Sequence, residues 1–336
     1  MPSRLKVALI ADNYDNIPEW VCKKLTSSGI NFSAKKCFSE DELLDFAATT
    51  DVIWTYSKNY ALTAAVLSKL KNLRAILRTG SGLDDIPVSQ ANALGIRVLN
   101  TPDAIAMAVA EHTVGLLISA VRQIPQHDRS VRHGEWLSQP DWANWHLYGQ
   151  TLGLIGFGRI ARYLVKMLSG FSLRVICHDP FASDMQMKEL NVAPVSLENL
   201  LSESDYISLH CPLTTTTRHL IGSAELSKMK SNAILVNTSR GAVIDEQALI
   251  EALKNRQIGG AAIDVTEDEP PAKDNPLLYL DNVIITPHVA AFSDEFERNF
   301  WEHSIKALLD IKNENKVGVL DLRNDYQQAK LVSNVV

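Results

Sequence analysis

The segment Gly153-Leu154-Ile155-Gly156-Phe157-Gly158-Arg159-Ile160-Ala161 constrains this chain more than any other. It sets a Gly-x-Gly-x-x-Ala pattern at the end of a short apolar run and the start of a helical one. There Gly156 permits a tight turn, Gly158 lets backbone approach a pyrophosphate, and Ala161 lets helix pack on strand. The helix N-terminus adds N–H groups and a positive dipole end that favour an anion. Glycines also mark ordinary turns, so the pattern alone is weak. The next apolar run, Arg174 to His178, ends at Asp179, where an acid accepts hydrogen bonds from adenosine ribose hydroxyls. Together the two features predict a dinucleotide site. An acid at that point repels a ribose 2′-phosphate, and Pro180-Phe181-Ala182 offers no base to bind one, so NAD(H) is favoured over NADP(H).

Apolar runs near 151–155, 174–178, 206–209, 233–237, 260–264 and 283–285 alternate with helical patterns, which predicts six strands in a doubly wound parallel sheet. The first hundred residues repeat the rhythm. Val7–Ala11, Val52–Thr55, Ala75–Leu77 and Val98–Leu99 read as strands, with helices near 17–28, 41–48, 63–70 and 88–94. Asn100-Thr101-Pro102-Asp103 signals a helix start with Asp103 as N-cap, and the pattern that follows runs roughly 28 residues before Gly134. After Pro287, an amphipathic helix from Ser293 to about Asn313 has no sheet of its own to cover and is expected to return to the first unit. Trp136, Trp142 and Trp145, with Pro140, predict an ordered loop at a domain or subunit contact.

Length and composition bound the rest. A chain of 336 residues suggests about two domains. Net charge −6 and no run of Lys or Arg argue against nucleic acid and anionic lipid, leaving a small-molecule partner. Cys22, Cys37, Cys177 and Cys211 show no metal-binding spacing, and fit reduced thiols in the cytoplasm. The apolar run after Arg4 is too short for a signal-peptide core. The long apolar stretch Ala104 to Val121 carries Glu111 and His112 at its centre and reads as a buried helix, not a membrane span.

Three stretches just past predicted strand ends carry reactive side chains: Asn237-Thr238-Ser239-Arg240-Gly241, Asp264 to Pro271, and Thr286-Pro287-His288. Doubly wound sheets bind ligands at that edge. A keto acid beside a nicotinamide needs a cation for its carboxylate and a proton for its carbonyl oxygen. Arg240 offers a planar fork that matches a carboxylate. Histidine exchanges protons near neutral pH, which suits His288 to the transfer. Glu269, bonded to His288, would favour the protonated ring needed for reduction.

With these stretches in view, the sequence resembles the D-isomer-specific 2-hydroxyacid dehydrogenase family. The resemblance spans about residues 50–315 and rests on Gly80-Ser81-Gly82-Leu83-Asp84, Gly156 to Ala161, His178-Asp179-Pro180, His210-Cys211-Pro212-Leu213, Asn237 to Asp245, Ala262 to Val265 with Glu269-Pro270, and Thr286-Pro287-His288. It implies Arg240, Glu269 and His288 as catalytic residues. It implies a cofactor shell of Gly156, Phe157, Gly158, Arg159, Ile160, Asp179, Cys211, Pro212, Thr238, Ser239, Arg240, Asp264, His288 and Ala290, with Asp264 near the nicotinamide carboxamide. Ser57, Gly80, Ser81 and Gly82, with Arg240 and His288, would hold the substrate, and no metal is called for.

The implied fold is α/β with two Rossmann-like domains. A doubly wound cofactor domain would occupy 103–287, and a smaller, discontinuous flavodoxin-like substrate domain would combine 1–102 with 288–336. Closure about hinges near Pro102 and Pro287, and a homodimer formed through the helix after Asp103, are also implied. Arg78-Thr79-Gly80-Ser81-Gly82, His178 to Phe181 and His288 to Ser293 look most like the branch of C-terminal-binding-protein corepressors and their bacterial enzyme relatives. That branch admits an alternative, an NAD(H)-sensing interaction module, although Ala291 stands where the corepressors carry Trp. A 3-phosphoglycerate dehydrogenase is a second alternative. Ser57, where an arginine would help bind phosphate, ranks it below a reductase of a small unphosphorylated 2-keto acid.

Overall fold

The computed structural model describes residues 4–136 and 146–313. The chain divides into two compact units, Met1–Ile105 with Asp294–Val336, and Ala106–Ser293. The divisions fall at 105/106 and 293/294, a few residues beyond the 102/103 and 287/288 read from the sequence.

The first unit carries β1 (Leu5–Leu9), β2 (Ile30–Ala34), β3 (Val52–Thr55), β4 (Ala75–Arg78) and β5 (Arg97–Asn100). They form a parallel sheet in the order β2-β1-β3-β4-β5, the flavodoxin-like arrangement. Neighbouring residues on a strand point to opposite faces. Hence Val7, Leu9, Trp54 and Leu77 enter one core, and Ala8, Ile10, Ile53 and Ile76 enter the other. The final helix, Phe296–Lys312, lays Trp301, Ile305, Leu308 and Ile311 on the first of these, as its spacing of apolar residues requires. Trp54 Nε1 donates to Thr79 Oγ1 at 2.7 Å, which in turn lies 2.8 Å from Ser304 Oγ on that helix.

The second unit holds β6 (Thr151–Ile155), β7 (Arg174–His178), β8 (Val192–Pro194), β9 (Tyr206–Leu209), β10 (Ile234–Asn237), β11 (Gly260–Ile263) and β12 (Val283–Ile285). Their order, β12-β11-β10-β9-β6-β7-β8, reverses between β6 and β9, where a doubly wound sheet leaves room for a ligand. Again two cores flank the sheet, with Ile155, Ile207 and Leu235 on one face and Leu154, Cys177 and Val236 on the other.

Three sequence expectations need correction. The seven-stranded sheet has one strand more than the six expected, and the first unit has β2 besides the four expected. Both extra strands are edges. β2 alternates buried and exposed residues, and β8 has three residues ending in Pro194, so neither shows the continuous apolar run of a strand covered on both faces. The single long helix after Asp103 is in fact a 3-10 turn, Pro102–Ala104, followed by Ala106–Val121 and Ile124–Arg132. Asp103 therefore sits inside the turn and is not the N-cap of a helix. Gln123, at φ 48°, stops the right-handed path, and Pro125 cannot donate a helical hydrogen bond. Trp136 is exposed, while Pro140, Trp142 and Trp145 lie outside the described residues.

All four cysteines are free thiols. Among the described residues, no helix is long and apolar enough to cross a membrane, and no group of three or more side chains could hold a metal ion.

Candidate active site

The turn after β6 is held by its neighbours on both sides. Gly156 has φ +95°, and a Cβ there would stand 2.8 Å from the backbone of His210 and Cys211, so only glycine fits. A Cβ on Gly158 would meet nothing within 4 Å, which leaves open space in front of the helix Arg159–Met167. Asp179 Oδ2 accepts the Phe157 N–H at 2.7 Å, and its Oδ1 accepts those of Phe181 and Ala182 at 2.8 and 3.2 Å. The Phe157 ring is buried in the core, so this residue shapes the turn from behind. Arg159 is exposed and Ile160 half-buried at the open end of the same helix. Glycine, open space, helix N-terminus and an acid at the end of β7 fit a dinucleotide pyrophosphate and its adenosine ribose.

The loop after β9 contributes Cys211, half-buried, and Pro212, exposed. Burial pushes the Cys211 thiol up to about 11, with the Asp179 charge acting in the same direction, so it stays protonated. Beside it, burial holds the His210 ring down at about 4, and its Nε2 lies 2.9 Å from Ser208 Oγ.

The loop after β10 is built on buried Asn237, whose Oδ1 accepts both the N–H and the hydroxyl of Ser239, while its Nδ2 donates to Arg240 O at 2.9 Å. Thr238 is buried with its hydroxyl 2.9 Å from that of Thr113. Arg240 Nη1 donates to Ser239 O at 2.8 Å. A Cβ on Gly241 would sit 1.9 Å from Thr266 O, so the loop of Arg240 presses its backbone directly on the loop that follows β11. This contact brings together two motifs that are far apart in the chain.

His288 occupies the corner after β12 with φ 53°, a left-handed conformation uncommon for a non-glycine residue. Its N–H donates to Asp264 O at 2.8 Å. The buried Asp264 carboxylate then takes the Thr286 hydroxyl at 2.5 Å and the N–H groups of Val289 and Ala290 at 3.0 and 2.9 Å. His288 Nδ1 lies 2.7 Å from Glu269 Oε2. Burial raises the Glu269 carboxyl, but its hydrogen bond and charge contact with His288, an N–H from Thr266 and the Arg240 charge together bring it below the usual carboxylate value. An ionised carboxylate only accepts, so Nδ1 carries the hydrogen and Nε2 is left to exchange a proton with a ligand. Arg240, Glu269 and His288 thus form one electrostatic group.

In the first unit, Gly80 spends both backbone groups on Thr101: its N–H meets Thr101 Oγ1 at 2.9 Å and its carbonyl accepts the Thr101 N–H at 3.0 Å. Both backbone groups of Gly80 are thereby engaged within the first unit, and the Ser81 and Gly82 N–H groups have no acceptor among the described residues. Ser81 O accepts Asn100 Nδ2 at 2.8 Å. Ser57 is exposed, its carbonyl accepting the Thr55 hydroxyl at 3.1 Å.

A profile described as "D-isomer specific 2-hydroxyacid dehydrogenase, NAD binding domain" matches residues 114–290. The chain belongs to the D-isomer specific 2-hydroxyacid dehydrogenase family. Its cofactor is NAD(H), and the matched span covers the Gly156 turn, Arg240, Glu269 and His288. The family member is 44% identical over 261 residues to a D-3-phosphoglycerate dehydrogenase of Methanocaldococcus jannaschii, covering 77% of this chain and 49% of that protein. It thus spans about half the length of that relative. A hydroxypyruvate reductase of Thermotoga maritima is 41% identical over 261 residues, 77% of this chain and 84% of the relative. The structure of a D-lactate dehydrogenase from Aquifex aeolicus, complexed with NAD and lactic acid, aligns with TM-score 0.80 at 28% identity, over 92% of this chain and 96% of that one.

Sequence reasoning missed two supports of the site. His112 places Nε2 3.1 Å from Thr286 Oγ1 and 3.6 Å from Asp264 Oδ1. The sequence signal was its position: a histidine in the middle of an apolar helix needs a buried partner. Gly241 was part of a quoted motif, but its backbone contact with Thr266 follows from no local pattern.

Proposed function

We propose that this dehydrogenase-family chain reduces a small, unphosphorylated 2-keto acid, of the glyoxylate, hydroxypyruvate or pyruvate kind, to the D-2-hydroxy acid. The observation that carries the reading is the 2.7 Å pair of His288 Nδ1 and Glu269, with Arg240 in the same charge group. NADH held at the Gly156 turn would supply the hydride that the carbonyl carbon needs. Arg240 holds the substrate carboxylate in its guanidinium fork. His288 Nε2 delivers a proton to the carbonyl oxygen as the carbon–oxygen double bond becomes a single bond, and Glu269 balances the ring charge before that transfer. In the oxidative direction Nε2 takes the hydroxyl proton. In the first unit, the N–H groups of Ser81 and Gly82 are assigned to the substrate on the family resemblance.

The half-buried Asp179 carboxylate supports NAD(H) over NADP(H), since a 2′-phosphate would meet like charge. Arg78 supports an unphosphorylated substrate: its Nε faces Asp85 at 3.4 Å and its Nη1 donates to Thr79 O at 3.0 Å. A cytoplasmic homodimer is part of the proposal; the free cysteines support the compartment, and the exposed Met107, Ile124 and Val131 support a partner surface. The test is a panel of 2-keto acids, 3-phosphohydroxypyruvate included, followed at the NADH absorbance band. Turnover with a small keto acid, lost in His288→Ala while NADH still binds, is expected. Full activity in His288→Ala and Arg240→Ala would overturn the mechanism, and NADH binding without turnover of any keto acid would favour the interaction module.

A further inference from the structure

Asp264 is 1% exposed, and a buried carboxyl group must find its hydrogen-bond donors within the protein. Its three donors are one hydroxyl and two amides, all neutral. Among the described residues the one ionisable nitrogen paired with it is His112 Nε2, at 3.6 Å. His112 belongs to the helix Ala106–Val121, seven residues into it, and plays no part in the reaction as described. The Thr286 hydroxyl gives its single hydrogen to Asp264 Oδ1, so its oxygen can only accept from His112, at 3.1 Å. Nε2 of His112 therefore carries a hydrogen and points it at the Thr286–Asp264 pair.

We infer that His112 is a positioning residue for the proton-transfer histidine, acting through Thr286 and Asp264 to hold the left-handed corner at His288. The chain of causes is short. His112 directs its Nε2 hydrogen at the Thr286 hydroxyl oxygen, so that this hydroxyl stays turned toward Asp264. Asp264 then receives the amides of Val289 and Ala290, the two residues that follow His288, and its backbone carbonyl takes the His288 amide. With both sides of the corner tied, the φ 53° conformation persists and the ring stays on Glu269. Thr113, next on the same helix, gives its hydroxyl hydrogen to Val109 O and accepts that of Thr238, so one helical turn supports both the Arg240 loop and the His288 corner. The inference rests on the proposed role of His288 for its catalytic consequence, and on geometry alone for its structural one.

The test compares His112→Gln, which keeps a side-chain N–H at a similar reach, with His112→Leu, which keeps bulk and removes the donor. Amide hydrogen exchange is measured at Val289 and Ala290, with Leu209 in the central strand β9 as control, on the full chain with and without NADH. His112→Leu is expected to speed exchange at Val289 and Ala290 by about tenfold or more and leave Leu209 unchanged, while His112→Gln stays near the parent. On the best keto acid of the panel, His112→Leu should lower kcat by about 10- to 100-fold with NADH affinity preserved, and His112→Gln should restore most of it. Unchanged exchange at Val289 and Ala290 in His112→Leu would overturn the inference, as would equal loss in both variants, which would mean that only ring volume matters. If the parent turns over no keto acid, the proposed function falls, while the exchange comparison still decides the role of His112.

Discussion

Two ends of one sheet are organised by an aspartate, and they use it differently. At β6 and β7, half-buried Asp179 gathers the N–H groups of Phe157, Phe181 and Ala182 in turns that border solvent. At β11 and β12, fully buried Asp264 gathers a hydroxyl, two amides and a histidine beneath a strained corner. Water can take over the bonds of the first if its carboxylate is removed, or if the carboxylate turns toward a ribose. It has less access to those of the second, where Asp264 is 1% exposed. Exposure thus separates a carboxylate that borders solvent from one enclosed by its own donors.

The largest expected break is Asp264→Ala. Leaving buried donors unpaired costs about 3–5 kcal/mol, read as a lower urea midpoint, together with loss of turnover. A loss under about 1 kcal/mol would mean that water does reach this corner. Next is Gly241→Ala, whose Cβ would overlap Thr266 O at 1.9 Å. It should destabilise by about 1–3 kcal/mol and reduce kcat while NADH still binds, as followed by nucleotide fluorescence.

Asp179→Ala should cost only about 1 kcal/mol in folding, and appear mainly as weaker NADH binding with less discrimination against NADPH. Equal folding costs for Asp179→Ala and Asp264→Ala would erase the distinction. The smallest effect on folding belongs to Glu269→Gln. The folded Glu269 carboxyl lies below its ordinary 4.5, so its contribution to stability is complete above that value and is lost as pH falls through the lower folded one. The melting temperatures of parent and variant should therefore differ modestly at neutral pH and converge below pH 4.5. A gap that persists there would assign the difference to packing.

Much of the fold was legible because covered strands leave a local mark. β3, β6, β9, β10 and β11 are buried along their whole length and read as short apolar runs between helices. Edge strands β2 and β8 leave no such mark, and the break at Gln123 hides in a pattern that keeps helical spacing across it. In the site, Arg240, Glu269 and His288 could be chosen from the sequence because reactive residue types follow strand ends, where parallel sheets bind ligands. The role of Asp264 as a clamp on the His288 corner could not, since a buried carboxylate and a ligand-facing one are the same letter.

The sequence by itself determined a parallel α/β chain with a dinucleotide turn at Gly156, an acid at Asp179 and reactive residues at three strand ends. These depend on local periodicity and short-range backbone geometry. Only the tertiary structure decided which of them meet. Gly241 against Thr266, Glu269 on His288, Gly80 spent on Thr101, and His112 behind Thr286 are contacts between residues distant in the chain. The packing of whole strands and helices sets those distances, and no local pattern carries them.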